Sequence, residues 1–145
     1  MWKITVLVFL AVAVLIRGYP RYLSSIPNGL KIPNPCTTAP NDTWRLVGHE
    51  IATSSQLYQK KMQQPGSYLN VFGTDFSLES HTWTQKLCNS DSDGDGKSNG
   101  EELGDAECVW VKGGKPAKDA TGHPGICEED SPNCKPSAKL SVICA

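Results

Sequence analysis

The segment from Asp91 to Glu102 limits the possible folds of this chain more than any other, because it places six ligand groups around one point. It reads Asp-Ser-Asp-Gly-Asp-Gly-Lys-Ser-Asn-Gly-Glu-Glu and matches the register of an EF-hand calcium loop at every place. Gly96 stands at the sixth place, where the backbone must turn sharply. The alternative is an acidic surface turn that binds nothing. We predict a calcium site formed by the side chains of Asp91, Asp93, Asp95, Asn99 and Glu102 and the carbonyl of Lys97, with Asn99 acting directly or through water.

The residues on either side of this loop predict a solitary helix–loop–helix unit. Apolar spacing indicates a helix that begins near Thr74 or Asp75 and runs to Cys88. A short exit helix is expected from Asn99 to Leu103, with Gly104 ending it. No second loop of this kind occurs in the sequence, so the usual pairing of two hands is not expected.

The six cysteines predict three disulfides, because an even number behind a secretory signal is typical of a disulfide-bonded extracellular domain. Zinc is the alternative, but no Cys-x2-Cys pair occurs and the histidines are scattered. One pair of cysteines flanks the calcium loop, and the two cysteines of a second pair are close in sequence near the end of the chain. The third pair follows by elimination. The predicted bridges are Cys88–Cys108, Cys134–Cys144 and Cys36–Cys127.

Residues 1–18 have the features of a cleaved signal peptide. Lys3 precedes an apolar run of 13 residues, Ile4 to Ile16, which is too short to span a bilayer comfortably. Cleavage after Gly18 starts the mature chain at Tyr19; a retained signal anchor is the alternative. We therefore predict a secreted, extracellular protein without a membrane span after cleavage. Secretion also makes the sequon at Asn41 available for glycosylation.

The mature chain is predicted to be a small α+β, disulfide-bonded, loop-rich domain over residues 19–127, followed by a cysteine-containing tail over 128–145. Five prolines between residues 19 and 40 favour an extended arm rather than helices. A helix is indicated within residues 50–64. Strands are expected at residues 108–111 and, less clearly, at 140–144. We expect the core to centre on Trp44, Trp83 and Trp110.

The distribution of charge excludes some functions. The formal net charge is −1, no basic cluster suits nucleic acid, and seven of the 15 acidic residues lie between Cys88 and Cys108. The acid–base candidates are His49, His81 and His123. Two of them, His49 and His123, could meet on a transition metal, but packing near turns is the favoured interpretation. No hydrolase or phosphate-loop motif is present, so we do not predict an enzyme.

Several short segments occur together in the order found in one family. They include Ile26-Pro27-Asn28-Gly29, Pro33-Asn34-Pro35-Cys36, Gly48-His49, residues 70–76, Asp91 to Asp105, Cys108-Val109-Trp110 and His123-Pro124-Gly125. Over roughly residues 19–127 the chain resembles the temptin family of secreted molluscan water-borne pheromone proteins. The resemblance implies a protein that associates with a small peptide attractant, or with a receptor ectodomain, in attraction and mating signalling.

The resemblance leaves one alternative open, since related sequences also occur among molluscan shell-matrix proteins. In that case the chain would be a calcium-binding shell-matrix protein that contacts calcium carbonate mineral during biomineralisation. For the pheromone function we expect the partner to bind near Ile51 to Tyr68, with Trp44 nearby. This polar segment departs from the family pattern, and such a stretch can vary partner choice without disturbing the core.

Overall fold

The computed structural model describes residues 20–39, 41–51, 54–63, 68–128 and 131–144. The predicted signal peptide and its cleavage site lie outside these residues. The helices in the described ranges are α1 (Pro20–Leu23), α2 (Ser54–Gln63), α3 (Val71–Leu78), α4 (Gln85–Asn89), α5 (Asn99–Glu102), a 3₁₀ helix (Pro136–Ala138) and α6 (Leu140–Ile143). The fold is small, disulfide-bonded and loop-rich, as predicted.

The β part of the predicted α+β class is reduced, in the described residues, to three isolated bridges: Pro33–Thr43, His49–Leu69 and Cys127–Lys139. The predicted strand at residues 108–111 is wrong. Asp105 Oδ1 accepts hydrogen bonds from the backbone N–H groups of Val109 and Trp110, at 3.0 Å each, so these groups are not available to a neighbouring strand. The second predicted strand, at residues 140–144, is also wrong, since α6 occupies it.

The proline-rich arm contains one helical turn, α1, where only extended structure was predicted. Its first residue is Pro20, and the first helical position tolerates proline because its missing N–H has no partner there in any case. The chain turns after Ile26, with Asn28 at φ 52°. The Asn28 side-chain amide donates to the carbonyls of Leu103 at 2.9 Å and Lys118 at 2.7 Å, which ties the arm to the residue that follows α5.

The single helix predicted from residue 74 to Cys88 is wrong, because the structure has two helices, α3 and α4. Ser80 and His81 lie between them with φ of 55° and 56°, and a right-handed helix cannot continue through such residues. Each helix has its own N-cap. Asn70 Oδ1 accepts from Gly73 N at 2.8 Å, and Thr84 Oγ1 accepts from Leu87 N at 3.1 Å.

The main core is built on α3 and α4, and its other members come from the chain before α3 and from the residue that follows α5. Its buried members are Ile26, Ile32, Val47, Phe72, Phe76, Leu87 and Leu103. The predicted centre on three tryptophans is only partly right. Trp44 is buried and Trp83 packs against the main core, but the indole of Trp110 bonds to the nearby exposed Gly114 carbonyl. A second cluster, formed by Leu46, Ile51 and Leu57, packs α2 against the rest of the protein. The sequence predicted a helix at this place.

Three disulfides connect all six cysteines, and only one pairing was predicted correctly. Cys88–Cys108 is present, with a Cα–Cα distance of 5.7 Å. The other predicted pairings are wrong; the structure has Cys36–Cys144 and Cys127–Cys134 instead. The reason is the path of the tail. Cys127 N donates to the Ala138 carbonyl at 2.8 Å, which folds the tail back on itself, and α6 then carries the chain end to the arm.

Asn41, the predicted glycosylation site, is exposed in a turn at the end of the arm, with φ 66°. Its occupancy stays a prediction. Within the described residues, no helix has the length and apolar character needed to cross a bilayer.

Candidate functional site

The loop between α4 and α5 gathers acidic side chains around one point. Ligand atoms of Asp91, Asp93 and Asp95 all lie within 4.8 Å of one another, and this is the group of three potential metal ligands found among the described residues. Gly94 and Gly96 have φ of 89° and 99°, which lets the backbone wrap around the carboxylates. Their N–H groups both donate to the Asp91 carboxylate, at 2.7 and 2.9 Å. The backbone therefore holds the first predicted ligand in position.

Glu102 and Asp93 carry buried oxygens that have no hydrogen-bond partner, although Glu102 lies outside the group of ligand atoms within 4.8 Å of one another. Glu102 is 1 % exposed and Asp93 is fully buried. Both carboxylate oxygens of Glu102, and Oδ2 of Asp93, lack a hydrogen-bond partner. A buried polar atom without a partner costs free energy, and a buried charge costs much more unless a counter-ion is bound. These are the oxygens that a bound cation would satisfy, so the residues present fit calcium.

The same burial changes the acidity of these carboxyl groups. Burial raises the pKa of Glu102 to about 10, with the charges of Asp93, Asp95 and Glu128 adding to the effect. Burial also raises the pKa of Asp93 to about 7. Without a cation, both groups therefore hold protons at pH values where an ordinary carboxyl group is ionised. A divalent ion would compete with those protons.

The remaining predicted ligands take up different surroundings. The Asn99 side-chain amide donates to the Leu87 carbonyl at 2.7 Å and to Ser92 Oγ at 2.9 Å, while its oxygen lies 3.3 Å from Ser92 N. This side chain therefore joins the two ends of the loop, and its role as a ligand stays a prediction. The side chain of Lys97 turns back to the loop, with its Nζ 3.5 Å from Asp95 Oδ2.

Two acids that the sequence groups with the loop belong to other interactions. Glu101 forms a capping box with Ser98, since its carboxylate accepts from Ser98 N at 2.7 Å. Asp105 is 1 % exposed and accepts from the Trp83 indole at 2.8 Å. It therefore joins the core to the chain after α5 and supplies nothing to the loop.

The C-terminal tail forms a wall of the site that the sequence did not reveal. Lys135 N donates to the Asp93 carbonyl at 2.7 Å, and Lys135 Nζ donates to the Ser92 carbonyl. Asn133 lies so close to Gly94 that a side chain at that glycine would collide with its carbonyl. The sequence contains no second loop with which this one could pair, and the tail covers it instead.

The three histidines have the packing roles that the sequence analysis favoured. His49 Nδ1 lies 3.2 Å from the Tyr68 carbonyl, and His81 stacks on Tyr22 with ring centroids 4.5 Å apart. His123 is fully buried with its ring edge-on to Trp44 at 5.2 Å, and burial lowers its pKa to about 3. None belongs to a group of three potential metal ligands in the described part of the chain.

Two concave surfaces lie away from the loop. The first, which we call the apolar groove, has a volume of about 320 Å³ and lies between α1, α3 and residues 45–49; its walls include Tyr22, Leu23, Val47, Leu69 and Phe76, with Arg45 at its edge. The second, the polar groove, has a volume of about 390 Å³ and lies between α2 and the chain end, with Trp44, Ile51, Gln56, Lys60 and Ile143 among its walls.

Comparison with known proteins agrees with the sequence resemblance. The family described as Temptin C-terminal matches residues 16–126. Temptin from Aplysia californica is 45% identical over 130 residues, which cover 87% of this chain and 94% of that protein. No solved structure matches. On both the family match and this identity over most of its length, the chain belongs to the temptin family.

Proposed function

We propose that this protein is a secreted component of a pheromone complex that binds a small peptide attractant without chemically changing it. Membership of the temptin family, at 45% identity to Temptin of Aplysia californica, supports a pheromone-related role. Three disulfides are typical of proteins that work outside the cell. The shell-matrix alternative has no observation of its own in its favour.

The observation that carries the proposal is the composition of the apolar groove. Apolar and aromatic side chains form most of its walls, and none of the described residues that line it carries a carboxylate. Arg45, at its edge, is exposed and makes no hydrogen bond or ion pair with any described residue. A pocket of this kind suits an apolar side chain, while an available guanidinium suits a carboxylate. The occupant is therefore a peptide with an apolar or aromatic residue beside an acidic group or its own C-terminus.

Of the surface predicted from sequence, residues 51–68 with Trp44, the residues that line the polar groove are Trp44, Ile51, Gln56 and Lys60. Its walls mix polar and apolar groups, so it offers less apolar area for a peptide to cover. Removing apolar surface from water is favourable by about 25 cal/mol per Å², before the costs of association are subtracted. The apolar groove is the better candidate for this reason.

A pair of charge-reversal variants separates the two grooves. Arg45→Glu should weaken binding of co-released acidic peptides at least about tenfold in calorimetry, because it replaces an attractive charge by a repulsive one. Lys60→Glu, which makes the same change at the polar groove, is the matched control and should leave affinity unchanged. The opposite pattern would move the site to the polar groove.

Adsorption of the wild type to powdered calcium carbonate without peptide capture would favour the shell-matrix alternative.

We further propose that residues 91–102 bind calcium and that the ion mainly holds the structure together. The support is the set of buried carboxylate oxygens without hydrogen-bond partners on Asp93 and Glu102. Asp91, Asp95 and the Lys97 carbonyl would complete the loop's contribution, with Asn99 acting through water. A solitary loop belongs in the weak extracellular range of ~10⁻⁴–10⁻³ M, and magnesium should compete poorly because it keeps its waters.

Thermal melting in calcium and in chelator tests this second proposal. The wild type should melt at a higher temperature in calcium, since an ion that binds only the folded state stabilises it. Glu102→Gln should abolish that difference, because it removes the charge of the bidentate ligand. Glu107→Gln makes the same change at an exposed acid outside the loop and should keep the difference. Identical wild-type curves in the two conditions would contradict a structural calcium ion.

A further inference from the structure

Glu128 lies against the calcium loop although it belongs to the C-terminal tail. A Cβ added to Gly122 would lie 2.9 Å from Glu102 Oε1 and 3.3 Å from Glu128 Oε2, so both oxygens border the same small space. The other oxygen of Glu128, Oε1, accepts from His123 N at 2.8 Å. One oxygen thus orients the carboxylate, and the other faces the carboxylate of Glu102.

This arrangement is unfavourable unless a bound cation or a proton neutralises one of the two carboxylates. Two carboxylates that face each other repel, and burial strengthens the repulsion because water no longer screens it. Glu102 is 1 % exposed, and neither of its oxygens has a hydrogen-bond partner. This burial is a separate observation from the position of Glu128, and it also indicates a positive ligand.

We propose that Glu128 is a further calcium ligand, supplied from outside the loop. In this proposal Gly122, which has no side chain, keeps open the space in which the ion contacts the Glu128 carboxylate. The inference rests on the calcium site proposed above. Calcium takes six to eight oxygen ligands, and the Asn99 side-chain oxygen already accepts from Ser92 N at 3.3 Å, so this residue acts through water. A carboxylate from the tail adds a direct ligand and a negative charge.

The tail is held in the position that this role requires. The Cys127–Cys134 bridge encloses Glu128, and the Lys135 N–H bond to the Asp93 carbonyl fixes the far end of that segment to the loop. The tail therefore takes part of the place that a second hand occupies in paired EF-hands. Its carboxylate should make the affinity higher than that of the isolated loop.

Calcium titration by calorimetry tests the role of Glu128 with a matched pair of variants. Glu128→Gln keeps an oxygen that can accept from His123 N, so the fold and the melting temperature in chelator should be retained. Its calcium affinity should fall ~10-fold, whereas Glu107→Gln should bind like the wild type. Equal affinities of these two variants would overturn the proposal and leave Glu128 as a turn-stabilising residue. A wild type that binds no calcium would instead reject the calcium site itself.

Two more measurements examine the coordination directly. Terbium luminescence lifetimes in H₂O and D₂O count the waters bound to an ion in the site, and Glu128→Ala should raise that count by about one. Gly122→Ala should also lower calcium affinity ~10-fold, because its methyl group would enter the space between the two carboxylates. An unchanged water count, or an unchanged affinity in Gly122→Ala, would contradict a ligand at this position.

Discussion

The acidic loop at residues 91–102 and the C-terminal tail are in contact, but they are specified in opposite ways. The loop is held by bonds between neighbours in sequence, such as those from Gly94 and Gly96 to Asp91, and its bridge joins cysteines 20 residues apart. The tail is held by distant partners, with one bridge spanning 108 residues and a backbone bond from Lys135 to Asp93. The comparison shows that a local motif can have an exact register in sequence and still depend on a remote segment for one wall.

The largest effect should come from removing the long bridge. In the loop-closure treatment, a bridge over 108 residues stabilises by ~5 kcal/mol and one over seven residues by ~2 kcal/mol. The pair Cys36→Ser and Cys144→Ser should therefore lower the free energy of unfolding more than the pair Cys127→Ser and Cys134→Ser. Only the second pair should also weaken calcium binding, because it frees the segment beside the loop. Denaturant unfolding and calcium titration check both effects, and equal calcium affinities would contradict the wall formed by the tail.

The next largest effect concerns Asp105, which lies among the loop acids in sequence but not in space. Asp105→Ala should lower the free energy of unfolding by ~3 kcal/mol, since the Trp83 indole and two backbone N–H groups lose their acceptor. Denaturant unfolding in saturating calcium measures this change in the free energy of unfolding. Calcium affinity should stay within about threefold of the wild type, because the residue acts at a separate site. A large loss of affinity with unchanged stability would place Asp105 in the calcium site instead.

The protein without calcium should lose stability as the pH rises. The folded-state pKa values of Asp93 and Glu102, about 7 and about 10, lie above the ordinary values of 3.8 and 4.5, so the folded state binds more protons than the unfolded state. This contribution is fully present below about pH 4 and is lost as the pH rises through 7 and then 10. The melting temperature in chelator should therefore fall from pH 5 to 8. Saturating calcium should remove most of that decline, and a chelated protein that becomes more stable over this range would contradict the burial of these acids.

The smallest effect should come from Glu101, the neighbour of Glu102. Glu101→Gln keeps an acceptor for Ser98 N, so the free energy of unfolding should change by no more than ~0.5 kcal/mol. Calcium affinity should change by less than about threefold, in contrast to its loss in Glu102→Gln. Calorimetry on the two variants compares adjacent carboxylates of identical chemistry. Similar losses in both would mean that net charge, and not the geometry of the loop, governs binding.

Sequence reasoning succeeded where the deciding contacts are local. The exit helix α5 was expected from its spacing and from Gly104, and the structure has it with Gly104 at φ 78°. Sequence reasoning failed at the single long helix that it predicted, because the apolar spacing continues through residues 79–84. The positive φ of Ser80 and His81 accompanies the stacking of His81 on Tyr22, a residue of the distant arm. Periodicity carries no information about such a contact.

The sequence by itself determined the loop register, the Cys88–Cys108 bridge, the small disulfide-bonded class and the family, because each depends on residue types at short, fixed spacing. Only the tertiary structure decided which acids face the loop, how the other four cysteines pair, and where the apolar groove lies. Those features depend on how the chain returns to itself: Asp105 turns toward Trp83, Glu128 toward Glu102, and Cys144 toward Cys36. Packing of the arm, the core and the tail brings these pairs together, and no spacing along the chain records that packing.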